Sequence, residues 1–264
     1  MTSLVPPSRI PATPLSTRDT PRAIAQSNAM PRRRLPLMRR YDVSFLTDQG
    51  QMETNQHTAP ATPLFESAFS AIARGTLIQT ATGPMAIEDI WPGDKIETKE
   101  FGPLPALWIG SMNIVPDAPV NRPESAQMTR VMADTFGMGR PMSDLLAGPG
   151  ARFLHRPAAL RELPGGGLVF SPASDFADGD SVIQITPQRP VQVFHICLAR
   201  HATIQAAGMD AESYHPGKNV AAATGPNMLQ LFLSLFPHVE CIEDFGPMSH
   251  PRGSVEALNS LSAA

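Results

Sequence analysis

The chain has 264 residues and a net charge of −3, which is enough for one large or two small domains with a buried core. Its 28 prolines argue against long helices and favour short strands joined by fixed turns. Two cysteines are too few for a disulfide scaffold, and no apolar run reaches the ~18 residues of a membrane span. Prolines also interrupt any signal-peptide core at the N-terminus. We therefore expect a soluble protein, cytoplasmic by default, with export without a cleavable signal peptide left open.

Residues 1–40 are predicted to form a disordered Arg/Pro-rich tail. They hold eight of the 21 basic residues and one of the 24 acidic residues, so the remaining chain has a balance of −10. A basic tail on an acidic body could bind nucleic acid or an anionic lipid surface. A solvated leader is the simpler reading, because the tail has no aromatic side chains to stack on bases. Translation could also start at Met30 or Met38 instead of Met1.

Residues 41–70 are predicted to be a lead-in strand and linker. Residues 40–46 alternate between polar and apolar side chains, as a short strand does, and residues 47–50 read as a turn. Residues 51–63 are polar and read as a linker. Residues 64–69 then lead into the stretch that follows, against which we expect them to pack.

The next stretch reads as a compact β unit. Residues 76–80 are β-branched and apolar, as expected of a strand, and Thr82, Gly83 and Pro84 mark a turn. An apolar run and a Trp-Pro-Gly-Asp turn follow, and residues 95–98 alternate at a period of two. In order, the letters G-T-L-I, T-x-x-G and I-E-D-I-x-P-G-D-K-I resemble the opening of a bacterial Hint (hedgehog/intein) domain.

Three later stretches extend this resemblance over residues 71–216. The W-I-G at Trp108 is similar to a strand that crosses the core of the family, and residues 144–154 resemble its D-L-x-x-S-P-x-H-R segment. The letters F-H-x-x-L-x-R-H followed by A-E-S-Y form the third stretch. The resemblance implies a mostly β fold, a Hint-like horseshoe of short strands, to which residues 217–264 add a C-terminal helical extension.

The resemblance also implies where self-processing chemistry would lie. Active members use a cysteine in the pattern C-F-x-x-G-T as nucleophile and a histidine in S-P-x-H-R as proton donor. Counting from Gly75 and Arg152, these positions are Ala71 and Ala151, which can do neither. We therefore predict no catalytic residues, no metal and no cofactor, and a degenerate domain that binds or scaffolds an unknown protein partner.

Several side chains could still provide chemistry. Ser70 could run a slower ester version of the acyl shift, although a one-residue slip in a strand turns a side chain to the opposite face. His155 could replace the missing proton donor. His195 and Cys197 share one strand face and could be a remnant of the site wall or half of a metal site, but core or rim histidines, including His201, are the simpler reading.

The C-terminal part has a different pattern. Residues 227–236 are apolar nearly all round and are predicted to be a short buried helix, capped by Asn227 or Thr224 and ended by Pro237. Cys241 lies beyond it and could pair with Cys197, although nothing in the spacing requires this.

Overall fold

A computed structural model of the protein describes residues 1–2, 37–47, 49–120, 122–161 and 167–260. The chain divides into two compact units, Met1–Leu35 and Pro36–Ala264, and the description below concerns the second. The predicted disorder of the tail and the translation start at Met30 lie outside the described residues.

The second unit is mostly β, as predicted, and the strand pairs among the described residues are antiparallel. The strands are β1 Met38–Leu46, β2 Met52–Pro60, β3 Ile72–Ala73, β4 Leu77–Thr80, β5 Gly83–Ala86, β6 Lys95–Ile96, β7 Leu104–Ile114, β8 Met128–Val131, β9 Leu145–Ala147, β10 Arg152–His155, β11 Val169–Pro172, β12 Val182–Ile185, β13 Val191–Leu198, β14 Thr203–Ala206 and β15 Met209–Glu212. The helices are α1 Pro63–Glu66, α2 Val220–Ala223, α3 Pro226–Leu233 and α4 Val255–Ser260. Short 3-10 turns occur at Ile87–Asp89, Pro123–Ala126, Ala158–Leu160, Ala173–Phe176 and Ile242–Phe245.

Strand β7 organises the sheet, because β1, β6 and β13 all pair with it. It contains the W-I-G motif, in which steric contacts explain why residue 110 is glycine. A Cβ on Gly110 would lie 2.1 Å from Cη2 of Trp108 and 2.6 Å from Cδ1 of Phe69. The missing side chain therefore leaves room for the indole ring and the phenyl ring above the sheet.

Two hydrophobic clusters lie on opposite sides of β13. Phe194, Ile196 and Leu198 contribute to the first, while Val193 and Cys197 contribute to the second, as the alternation of a strand requires. We call the first the aliphatic core; it includes Ala71, Ile72, Ile78, Ile96, Ala147, Ala151, Phe153 and Ile204. We call the second the aromatic core; it includes Tyr41, Phe65, Phe69, Trp108, Tyr214, Phe232, Phe236 and Phe245.

The predicted linker over residues 51–63 is wrong, because most of it forms strand β2. This strand pairs along its whole length with β1, from Met38 opposite Pro60 to Leu46 opposite Met52. Most of its side chains are exposed. A strand whose side chains are polar on both faces lacks the alternation of apolar and polar residues by which strands are predicted. Here the hydrogen bonds to β1 determine the strand conformation.

The last residues of the predicted tail also belong to the fold. Met38–Arg40 open β1, and the Arg39 guanidinium pairs with the buried Glu66 carboxylate at 2.8 Å. The neighbouring Tyr41 is fully buried in the aromatic core, which fixes the start of the strand.

Helix α3 occurs where a helix was predicted, but it is not buried all round. Phe232 is buried, whereas Met228 and Leu231 are exposed, so the helix packs by one face. Its N-cap is Gly225 without a side-chain cap, and Pro226 occupies the first turn, where a missing N–H costs nothing. No helix of the described residues is long and apolar enough to cross a membrane.

Candidate functional site

Three backbone hydrogen bonds hold the junction between Ser70 and Ala71. The Ala71 N–H donates to the Phe194 carbonyl at 3.1 Å, and the Gly148 N–H donates to the Ala71 carbonyl at 2.7 Å. The Gly150 N–H donates to the Ser70 carbonyl at 2.8 Å. The loop after β9 therefore clamps the peptide that precedes Ala71. A backbone N–H aimed at a carbonyl oxygen is also the kind of donor that stabilises a developing oxyanion.

The two glycines of this loop are required by close packing. A Cβ on Gly148 would lie 2.3 Å from the Ser70 carbonyl oxygen, and a Cβ on Gly150 would lie 2.6 Å from the Ser67 carbonyl oxygen. Such distances are far below van der Waals contact. No local sequence pattern singles out these glycines, because the close approach involves residues about 80 positions apart.

Ala71 and Ala151 lie in the same hydrophobic cluster, the aliphatic core. Both are almost completely buried, and the Ala151 N–H donates to the Gly148 carbonyl at 3.0 Å. A methyl group can neither attack a carbonyl nor donate a proton. Both alanines therefore lie beside the clamped junction, where their methyl groups pack in the aliphatic core.

Ser70 is fully buried and its Oγ has no hydrogen-bond partner among the described residues. A hydroxyl nucleophile needs a base within hydrogen-bond reach. Gly150 lies beside it, since a Cβ there would come within 3.0 Å of the Ser70 Oγ. This neighbour supplies backbone only.

His195 contacts the segment that precedes this junction. Its Nδ1–H donates to the Ser67 carbonyl at 3.0 Å, and its ring packs edge-on against Tyr214, with centroids 5.0 Å apart. Burial lowers the pKa of His195 to about 4, so the ring is neutral at physiological pH. Its place in β13 turns it toward the aromatic core, on the side away from Phe194 and the aliphatic core.

His155 is engaged elsewhere. The Ser171 hydroxyl donates to the Gly253 carbonyl at 2.7 Å, so it accepts a hydrogen bond from the His155 Nε2–H at 2.8 Å. The imidazole also packs against Phe176, with centroids 5.0 Å apart, and burial lowers its pKa. His155 thus ties β10 to β11 and to the C-terminal segment.

His201 belongs to a buried ionic network that the sequence did not reveal. Its Nδ1 accepts from the Ser249 N–H at 2.9 Å, so its proton is on Nε2, which donates to Glu212 at 3.1 Å. The Glu212 carboxylate also accepts from Arg252 Nε at 2.8 Å and from Arg152 Nη1 at 3.4 Å. Although burial opposes the charge, these partners hold the pKa of Glu212 at about 2. The R-H and A-E-S-Y motifs are the sequence signal for this pair.

The two cysteines do not pair, since both are free, Cys197 buried and Cys241 exposed. Burial raises the pKa of the Cys197 thiol to about 12, which makes it a packing group. Within the described part of the chain, no three His, Cys, Asp or Glu side chains converge as a metal site. The arginines of the tail up to Arg34 lie outside the described residues, and Arg39 is paired with Glu66.

Solved structures provide three similar folds. A bacterial intein-like domain from Clostridium thermocellum has 15% identity and a TM-score of 0.38, covering 55% of this chain and 99% of that one. A splice-inactive variant of the AceL NrdHF class 3 split intein has 12% identity and a TM-score of 0.38, covering 55% and 97%. The MchDnaB-1 intein has 15% identity and a TM-score of 0.34, covering 55% and 100%.

Comparison with curated protein sequences finds no match. The Hint domain family model, however, matches residues 70–218, which is more than half of the chain. The matched segment contains the clamped junction, both alanines and the whole aliphatic core. On this match, the chain belongs to the Hint domain family.

Proposed function

We propose that this chain is a catalytically degenerate Hint domain that acts as a binding or scaffold module for a protein partner. The observation that carries the proposal is the pair of buried alanines, Ala71 and Ala151, at the positions of the family's nucleophile and proton donor. Each loss removes a separate requirement of the acyl shift, the nucleophilic atom and the protonation of the leaving amide nitrogen.

The surroundings of the junction support this proposal. The three histidines considered above have structural partners: His195 binds the Ser67 carbonyl, His155 binds Ser171 and His201 binds Glu212. The clamp from Gly148 and Gly150 remains as a structural support. It holds the chain in place where the family would cleave it.

The first experiment is the intact mass of the full chain under denaturing conditions, fresh and after incubation with hydroxylamine at neutral pH. Hydroxylamine cleaves esters and thioesters but leaves ordinary peptide bonds intact. We expect one unshifted species of full length. Two fragments that meet between residues 69 and 71 would contradict the proposal.

A gain-of-function variant tests the same site in the opposite direction. The double variant Ala71→Cys with Ala151→His restores a thiol next to the Ser70 carbonyl, which Gly150 already holds by a hydrogen bond. We expect hydroxylamine-sensitive cleavage between residues 70 and 71 in the double variant and a slower reaction in Ala71→Cys alone. The matched control, Ala151→His alone, should remain intact because it has no nucleophile.

A second candidate function is residual autoprocessing through Ser70, favoured by its buried and unpartnered hydroxyl. The Oγ would attack the Phe69 carbonyl, forming an ester and freeing the Ser70 amine. Cleavage would then fall between residues 69 and 70. Ser70→Ala should abolish such cleavage, whereas the control Ser67→Ala should retain it; an unchanged pattern in Ser70→Ala would eliminate this candidate.

A further inference from the structure

A large groove is lined by residues that do not include Ser70 or Ala71. Its volume is about 1060 Å³, and its walls are formed by residues 62–64, residues 216–228 and residues 248–252, with Arg122 as a fourth contribution. The first wall precedes the family-matched segment, and most of the other two follow it. A cavity of this size is at the upper end of the range of small-molecule sites.

The groove has apolar walls that are not fully covered. Leu64, Val220 and Met248 are half-buried along it, and the Met228 side chain is 37% exposed at its edge. Methionine side chains adapt to irregular apolar ligands. Part of this apolar wall is therefore in contact with solvent in the free protein, and an apolar ligand would cover it.

The charges in the groove are of one sign. Arg122, Lys218 and Arg252 line it, and its described lining includes no carboxylate. Residues 41–264 have 13 basic and 23 acidic side chains, so a lining with cations alone contrasts with the acidic body. Arg122 and Lys218 are exposed and make no ion pair with the described residues.

Arg252 differs from the other two because its position is fixed. Its Nε binds Glu212 and its Nη2 donates to the His215 carbonyl at 2.7 Å. Its Nη1 would lie 3.0 Å from a Cβ on Gly217, so the glycine leaves space for the guanidinium in the groove. One anchored cation and two free cations thus surround an apolar surface.

From this juxtaposition we propose that the groove binds a single-chain anionic amphiphile, with the alkyl chain against Leu64, Val220, Met228 and Met248 and the anionic head at Arg122, Lys218 and Arg252. A long-chain carboxylate is the simplest ligand of this class. The inference deepens the proposed binding role, but it depends on a different surface from the self-processing site. Its test is therefore independent of the mass experiment.

The test is titration of the full chain, labelled with carbon-13 at the methionine methyls, with decanoate. We expect saturable shifts of the Met228 and Met248 resonances, each assigned by its Met→Leu variant. The Met138 methyl serves as internal control, because its side chain is 98% exposed in a different loop. Decyltrimethylammonium, which has the same chain and the opposite charge, should bind about tenfold more weakly or not at all.

The variants assign the head group. The double variant Arg122→Gln with Lys218→Gln should weaken decanoate binding about tenfold. The charge-matched double control, Arg156→Gln with Arg189→Gln, changes two exposed residues outside the groove and should bind as the wild type does. Absence of saturable decanoate binding overturns the proposal, even if an acidic peptide shifts the same methionines. Equal binding of both detergents, or an unaffected double variant, also overturns it.

Discussion

The aliphatic core and the aromatic core are built from different parts of the chain. Every residue of the aliphatic core falls within the segment that matches the Hint family. The aromatic core joins that segment to both flanks: Phe65 and Phe69 precede it, and Phe232 and Phe236 follow it. The family segment thus supplies its own interior, while the flanks are fastened to its other side by aromatic rings.

Trp108 shows how this fastening works. Its indole Nε1–H donates to the Leu235 carbonyl at 2.7 Å, and its ring lies 4.5 Å from that of Phe236 and 5.2 Å from that of Phe69. One residue of the central strand therefore contacts both flanks. The comparison suggests that the flanks are part of one cooperative unit with the family segment.

The largest expected effect comes from Phe236→Ala. This side chain is fully buried and contacts five aromatic rings, so its removal should lower the free energy of unfolding by about 3–5 kcal/mol. Phe153→Ala in the aliphatic core is the matched control with a similar expected loss. Urea unfolding, followed by Trp108 fluorescence in a Trp91→Phe background and by circular dichroism, should show one transition in both variants. A separate early fluorescence transition in Phe236→Ala alone would show that the flanks detach first.

A smaller loss is expected from Gly148→Ala. The added Cβ would lie 2.3 Å from the Ser70 carbonyl oxygen, so the clamp must shift, at a cost of about 1–3 kcal/mol. Gly225→Ala is the control, since nothing lies within 4 Å of a Cβ there, and its effect should stay within about 0.5 kcal/mol. Thermal unfolding of both variants measures the difference. Equal stability of the two would mean that the clamp tolerates a side chain.

The smallest expected effect is the change in the free energy of unfolding per pH unit. His195 has a pKa of about 4 in the fold against an ordinary value of 6.5, so only the unfolded chain takes up its proton between these values. Stability should therefore fall as pH decreases through this window, by about 1 kcal/mol per pH unit for this group. His195→Gln should remove that share of the slope of unfolding free energy against pH.

His215→Gln provides a parallel measurement, because burial also lowers the pKa of His215 to about 4. His215 lies next to Phe245 at the aromatic core, with ring centroids 6.0 Å apart. Each variant should reduce the slope by a similar amount, and the double variant by the sum. Parallel curves for the wild type and His195→Gln would contradict the assignment.

The strands that bury apolar side chains could be predicted from the sequence. Strand β13 spans the predicted residues because its two faces serve two cores and Pro190 precedes its first residue. Strand β2 escaped prediction because its pairing with β1, and not its side chains, determines its conformation. Helix α3 was expected to be buried all round, since its composition does not show which face a neighbouring sheet covers.

The candidate site could be predicted only in part, for a similar reason. Motif spacing singles out Ala71 and Ala151, and the structure places both in the aliphatic core. The clamp by Gly150 and the bond from Arg252 to Glu212 join residues far apart in the chain. Such contacts form only when the whole sheet has folded, so no local sequence pattern predicts them.

The pairing of β1 with β7 has a consequence for any backbone break near residue 70. Four register pairs link these strands, and the aromatic core packs Tyr41, Phe65 and Phe69 before the break against Trp108, Phe232 and Phe236 after it. A nicked molecule would behave as a pair of complementing fragments that elute together from a sizing column and retain the native spectrum. Scission would change the covalent chain without separating its products, so a cut molecule would persist as two chains joined by packing and hydrogen bonds.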